Sequence, residues 1–179
     1  MKLIVTGGAG FIGSTLIKRA LKHKDYEILN LDKLSYASNL NSIEDLKSNP
    51  NYSFIKCDIC DYQLLEKIVG DFKPNKIIHL AAESHVDRSI DDPLSFIETN
   101  IIGTYNLLEI ARKYFSSLSS NEKQQFIFHH VSTDEVYGSL DVNDEKFDEY
   151  TSYKPNSPYS ASKASSDHLV RAWNKTYKL

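Results

Sequence analysis

Lys2-Leu3-Ile4-Val5-Thr6-Gly7-Gly8-Ala9-Gly10-Phe11-Ile12-Gly13 opens the chain and sets its architecture. The apolar run from Lys2 to Thr6 reads as a strand that ends at glycine. From Phe11 to His23, the residues Ile12, Leu16, Ala20 and Leu21 share one helical face. Gly7, Gly10 and Gly13 stand between the two, where small residues permit a tight turn and a close backbone approach to a pyrophosphate. The N–H groups of Phe11 and Ile12 at the helix N-terminus would face the negative charge. Glycines alone say little, but here a strand precedes them, a helix follows and an acid lies beyond. That acid is Asp32, 19 residues after Gly13, closing a second strand over Glu27 to Leu31. A carboxylate there accepts from a ribose 2′-hydroxyl and repels a 2′-phosphate, so the expected cofactor is NAD rather than NADP. Lys33 next door could tolerate a phosphate and complicates that reading.

The same alternation continues. A short helix is expected near Ser42–Lys47, a third strand from Tyr52 to Cys57, a helix from Tyr62 to Val69 and a fourth strand from Lys76 to Ala81. A long helical pattern runs from Pro93 to Tyr114 through Phe96, Ile97, Thr104, Leu107, Leu108 and Ala111. Phe126 to Ser132 is a fifth strand, and Ser157 begins a last helix. Strands alternating with helices predict an α/β fold: a doubly wound parallel sheet of Rossmann type, helices on both faces, in one domain over residues 1–179. No repeat or linker interrupts it. The polar stretch Ser116 to Gln125 reads as a solvated turn. The acidic stretch Ser139 to Pro158 is either a cover over the site or a surface excursion.

Composition excludes several classes. The chain has 179 residues, 41% apolar and 25% charged, with a formal net charge of −3. That is an ordinary globular composition without the basic footprint of a nucleic-acid or membrane-surface binder. No apolar run approaches a membrane span, and the N-terminal apolar stretch is too short for a secretory signal. A cytoplasmic enzyme is the expectation. Cys57-Asp58-Ile59-Cys60 has redox or zinc spacing, but no second cysteine pair completes a zinc site. Cys57 is expected to end a buried strand and Cys60 to begin a turn. His129 and His130, adjacent on a strand, face opposite ways and cannot chelate one metal. No metal is expected.

The chemistry sits further on. Thr133-Asp134-Glu135 is followed 24 residues later by Tyr159-Ser160-Ala161-Ser162-Lys163. Tyr159 and Lys163 lie one helical turn apart, and a nearby ammonium would lower the phenol toward neutrality, making it a base for a sugar hydroxyl. Neighbouring carboxyls push each other's titration apart, so one of Asp134 and Glu135 can be the acid and the other the base. Strand alternation would point them apart, so the chain must turn there. After strand four, Leu80-Ala81-Ala82-Glu83-Ser84-His85 places small residues where a cofactor could lie flat and polar ones in the crevice. His85 is a site residue or a loop histidine. Asp58 meets an adenine amino group or caps the next helix.

These stretches, with Asp32-Lys33-Leu34-Ser35-Tyr36-Ala37, Glu98-Thr99-Asn100 and Tyr137-Gly138, resemble the extended short-chain dehydrogenase/reductases, and within them the dTDP-glucose 4,6-dehydratases. The resemblance runs from Met1 to Leu179, and Asp134-Glu135 is its specific part, since C4 epimerisation involves no dehydration. It implies that Tyr159, helped by Lys163 and Thr133, takes the C4 hydroxyl proton while NAD takes the hydride. Glu135 would remove the C5 proton and Asp134 protonate the departing C6 hydroxyl. It implies cofactor contacts from Leu34, Ser35, Asp58, Ile59, Thr99 and Leu80-Ala81-Ala82-Glu83-Ser84, and substrate contacts from Ser84 and Thr133. It also implies a homodimer through helices at Ser95–Tyr114 and Pro158–Tyr177, with Ile110 and Leu169 available either to that interface or to intrachain packing.

The family carries further strands and a smaller C-terminal nucleotide-sugar domain that this sequence lacks. The expectation is therefore a cofactor half with reacting groups, an exposed sheet edge at Phe126–Ser132 and little turnover in isolation. UDP- or GDP-linked donors, or a non-catalytic NAD-binding module, are the alternatives.

Overall fold

In the computed structural model, which describes residues Met1–Leu179, β1 (Lys2–Thr6) is the middle strand of a five-stranded parallel sheet. Next come α1 (Phe11–Ala20), β2 (Glu27–Asp32), a 3-10 stretch over Leu40–Leu46, β3 (Tyr52–Lys56), α2 (Tyr62–Phe72) and β4 (Lys76–His79). Then α3 (Val86–Asp91) and α4 (Pro93–Phe96) lead through a π-helical segment, Ile97–Gly103, into α5 (Thr104–Ser117). They are followed by α6 (Ser120–Gln125), β5 (Ile127–His130), a 3-10 turn at Asp134–Tyr137 and α7 (Pro158–Tyr177). The strand order is β3-β2-β1-β4-β5, with β1 in register with β2 from Lys2↔Glu27 and with β4 from Leu3↔Lys76. The order reverses between β1 and β4, which opens a crevice at the carboxyl ends of those strands.

Alternation along the strands builds two cores. Ile4, Leu29, Leu31 and Ile77 face one side with Leu65, Val69 and Leu107, while Leu3, Val5 and Ile28 face the other with Ile17 and Ile43. The sheet is thus covered on both faces, the doubly wound arrangement. In α2, Leu65, Ile68 and Val69 repeat at helical spacing on the buried face, and Asp61 caps the start by accepting from Leu64 N–H at 3.1 Å. Asp58 is therefore not the cap; it accepts from Cys60 N–H within the preceding turn. α7 begins with Pro158 behind a Ser157/Ser160 capping box and packs across α5 and the π segment.

Some expectations are corrected. Ser120–Gln125 is helical rather than a solvated turn, because Ser119 and Glu122 form a capping box whose signature is hidden by the segment's polarity. The long pattern from Pro93 is interrupted by the π segment. Ile110 is 2% exposed and belongs to the core, so it is not left over for an interface. β4 and β5 stop earlier than their apolar runs, and β5 is an outer strand with Ile127 exposed. Cys57 is buried and Cys60 exposed in part, and both are free thiols pushed up to about 11 by the desolvation of their sulfur and by the nearby Asp58 carboxylate. No helix is long and apolar enough to cross a membrane.

Candidate active site

A cavity of about 380 Å³ opens at the carboxyl ends of β1, β2 and β4. Its floor is the glycine loop. Gly7 has φ +73, and a Cβ there would lie 2.7 Å from the Ala81 nitrogen; one on Gly13 would lie 2.3 Å from the Gly7 oxygen. Only glycine lets this loop close on itself and on the end of β4. No side chain caps α1, so the first-turn N–H groups of Phe11 and Ile12 stay available at the cavity, while both side chains stand exposed. A positive helix end with uncapped donors suits an anion.

Asp32 lines the cavity and is 6% exposed. Its Oδ2 accepts from Ala9 N–H at 2.9 Å, and its Oδ1 from Leu34 N–H and Ser38 Oγ, each at 2.8 Å. The carboxylate thus ties the glycine loop to the loop after β2, with lone-pair capacity left for one more donor. Lys33 also lines the cavity, but its Nζ is held by Glu83 Oε1 at 2.8 Å and donates to Thr99 Oγ1 at 3.1 Å. Burial lowers Lys33 and the Glu83 carboxylate more than offsets it, so the lysine is raised and committed to Glu83. It is not a free cation waiting for a phosphate.

The other sequence-derived residues divide. Gly10, Ser35, Ile59, Leu80, Ala81 and Ala82 line the cavity. Ser84, Thr99, Tyr159 and Lys163 join them from three different elements. Leu34, Asp58 and Glu83 do not line it: Leu34 contributes its N–H to Asp32, Asp58 serves its own turn and Glu83 holds Lys33. The acidic loop does not cover the cavity. Instead it folds back on the Asp134–Tyr137 turn, where Tyr137 meets Tyr153 edge to face and Phe147 at a tilt, and Lys154 N–H donates to the Val136 carbonyl. His85 is exposed and precedes α3 without capping it.

The chain does turn at Asp134-Glu135. Thr133 caps the 3-10 turn, its Oγ1 accepting from Glu135 N–H at 3.3 Å. Tyr159, on the buried face of α7, meets Phe96 edge to face. Its expected lowering is not found. Burial raises the phenol, the nearby Thr133 hydroxyl opposes this, and the Glu135 and Asp134 charges push it further up. Lys163 is 5% exposed and donates from Nζ to the Val131 carbonyl at 2.7 Å rather than to the phenol, and burial lowers it to about 8.

Several groups escaped the sequence reading. Asn100 accepts from Glu83 N–H at 2.8 Å, donates to the Glu83 carbonyl at 2.9 Å and donates to Ser162 Oγ at 2.8 Å. It holds the loop after β4 against the helix of Tyr159. His79 sits between Thr6 and Thr104 hydroxyls, fully buried and driven well below its ordinary range by that burial. Asp167 is a third such group: it lies four residues after Lys163, on the helix face that Tyr159 and Lys163 share.

Known proteins resemble this chain over its whole length. The family model described as GDP-mannose 4,6 dehydratase matches residues 4–179. A dTDP-glucose 4,6-dehydratase of Salmonella typhimurium is 54% identical over all of this chain and 52% of its own length. A dTDP-glucose 4,6-dehydratase structure from Streptomyces venezuelae with NAD bound superposes with TM-score 0.89 at 41% identity, covering 100% of this chain and 53% of that one. A UDP-glucose 4-epimerase from Thermus thermophilus, in complex with NAD, gives TM-score 0.84 at 31% identity over 100% of this chain and 52% of that one. The chain spans about half the length of the relatives it matches.

Proposed function

Because this chain belongs to the GDP-mannose 4,6 dehydratase family, we propose that it carries the NAD site and the reacting groups of a dTDP-glucose 4,6-dehydratase. The observation that carries the reading is convergence. Tyr159 and Lys163 on α7 open into the same cavity as the uncapped α1 N-terminus and Asp32; the Thr133-Asp134-Glu135 turn does not line it but follows directly from Val131 and Ser132, which do, and packs against α7. The adjacent acid pair favours dehydration over the epimerisation of the more distant relative, which needs no proton delivered to a leaving hydroxyl.

The glycine loop and the Phe11 and Ile12 N–H groups would hold the pyrophosphate, Asp32 the ribose 2′-hydroxyl, and Leu80 to Ala82 the flat face of the cofactor. Bound NAD supplies the hydride acceptor for C4 and, after water has left, the hydride donor for C6. Tyr159, with Thr133 beside it, takes the C4 hydroxyl proton. Turning Lys163 Nζ from the Val131 carbonyl toward the phenol is the movement that would lower Tyr159 for this task. The 4-ketone acidifies C5–H, which Glu135 removes while Asp134 gives a proton to the departing C6 hydroxyl. Glu135 then reprotonates C5, and the product is dTDP-4-keto-6-deoxyglucose. Ser84 would contact the sugar. The base of the donor is read from the relatives at 54% identity, with GDP-mannose as the donor the family description favours instead.

The same resemblance supports a homodimer. Ile97, Ile102 and Tyr105 stand exposed along the π segment and α5, and Tyr177 on α7. Calorimetry with NAD and NADP tests the cofactor site, and NMR of dTDP-glucose in deuterated buffer tests the chemistry. Deuterium at C5 of a 6-deoxy product, lost in Glu135→Gln, is expected. Saturable NADP binding without NAD binding, or an epimerised sugar that keeps its 6-hydroxyl, would refute the reading.

A further inference from the structure

Tyr159, Lys163 and Asp167 are spaced four apart on α7 and share one face. Asp167 Oδ2 accepts from Ser132 Oγ at 2.5 Å and from Tyr153 OH at 2.9 Å, and His130 Nε2 lies 3.1 Å from its Oδ1. Ser132 immediately precedes Thr133-Asp134-Glu135. Tyr153 belongs to the acidic loop and meets Tyr137, at the end of the same turn, edge to face. One carboxylate therefore joins the helix of the Tyr/Lys pair, the chain entering the acid pair and the loop folded against it.

We propose that Asp167 is a positioning residue for this reaction, fixing the Thr133–Glu135 turn against the α7 face that carries Tyr159 and Lys163. The proposal rests on the roles assigned to those residues above. Stability alone does not account for the carboxylate. Its buried Oδ1 has the His130 ring nitrogen 3.1 Å away but no well-formed hydrogen bond, so the carboxylate is buried with incomplete pairing, which costs stability. The neighbours leave Asp167 as the counter-charge. Lys163 is lowered by burial, and Asp167 is what opposes that fall. His79 on β4 and His130 on β5 are both pushed toward the neutral form by burial, and His129 faces outward from β5. On the loop side, burial and the bond to Asp167 push Tyr153 up to about 12, so it stays a neutral donor. Asp134 and Glu135 act on Tyr159 from the turn. Burial would raise Asp167 itself, but His130, Ser132 and Tyr153 together hold it below its ordinary value, so it is ionised.

The test compares Asp167→Asn, Asp167→Glu, Ser132→Ala and Tyr153→Phe. Lysine side-chain NMR, assigned with Lys163→Arg, reads the Lys163 titration, and kcat and KM are measured with dTDP-glucose. Asp167→Asn should move the Lys163 titration down by about one pH unit, with the alkaline limb of kcat, because the opposite charge is gone. It should lower kcat by about 100-fold with KM within about threefold, since positioning acts on the reacting geometry. Asp167→Glu should recover part of both. Ser132→Ala and Tyr153→Phe leave the charge and should lower kcat about tenfold without moving the titration. A folded Asp167→Asn whose Lys163 titrates as before overturns the proposal. If Asp167→Asn does not fold, kcat within about twofold of the parent in both Ser132→Ala and Tyr153→Phe overturns it. Little turnover in the parent is the expectation for a chain that spans about half of its relatives' length, and the Lys163 titration then decides the role of Asp167.

Discussion

Replacing Asp32 by Asn removes more than the proposed ribose contact. The carboxylate accepts three bonds, from Ala9 N–H, Leu34 N–H and Ser38 Oγ, at 2.8 to 2.9 Å. An amide oxygen can keep the Leu34 and Ser38 bonds. Its NH2 would then face the Ala9 N–H, donor against donor. One charge-assisted bond is lost, worth about 1.5–3 kcal/mol, and the buried Ala9 N–H is left unpaired, so the total is about 2–4 kcal/mol. In a protein of this size that is roughly 4–16 °C in Tm. Ser38→Ala, which removes one bond and leaves the charge, should cost about 1 kcal/mol. Urea titrations with m unchanged give both values, and calorimetry on the same samples should show NAD affinity falling with the glycine loop's anchorage and no gain for NADP. An Asp32→Asn protein within about 0.5 kcal/mol of the parent would show that the carboxylate does not hold the loop. A simple Ala scan at Asp32 could not separate these effects, because it disturbs the loop and the ribose contact together.

Gly70 is exposed in α2 with nothing within 4 Å of a Cβ, so Gly70→Ala should raise stability by about 1 kcal/mol in a urea melt. Gly13→Ala should lower it by about 2 kcal/mol or more, because its methyl meets the Gly7 backbone; equal signs for the two would be a failure. Lys163 titrates in the fold at about 8 against an ordinary 10.5, so above about 8 the unfolded chain holds more protons and stability should rise with pH toward 10.5. Lys163→Met should flatten that rise in melts collected across the window. Asn100→Ala breaks its links to Glu83 and Ser162 and should cost about 3 kcal/mol, with NAD binding weakened, by calorimetry on the folded fraction.

Much of this was legible in the residues. Gly7, Gly10 and Gly13 between an apolar run and an amphipathic one specify both the crevice and its floor, because only that backbone path lets β1 enter α1 beside β4. Elements set by local chemistry against their apparent polarity were harder. Ser119 and Glu122 cap a helix whose six residues include none that is buried. The state of Tyr159 could not be read from Tyr-x-x-x-Lys at all. Spacing places Lys163 one turn away, but which acceptor takes its ammonium depends on Val131, 32 residues earlier and on another element. Asn100 was hidden for the same reason: its partners Glu83 and Ser162 come from distant parts of the chain.

An all-parallel sheet with its first strand in the middle has a consequence for synthesis. β1 can find β2 early, but its other flank waits for β4, whose partners lie 73 residues on from Leu3 at Lys76. At roughly 5–20 residues per second, that is on the order of 4–15 s during which one long side of the central strand is bare. Gly7 rests on Ala81, so the loop that would receive the cofactor has no backing until the same moment. The nascent chain therefore cannot gain stability from cofactor before β4 has docked, and slower translation between β2 and β4 would lengthen its exposure to chaperones and proteases.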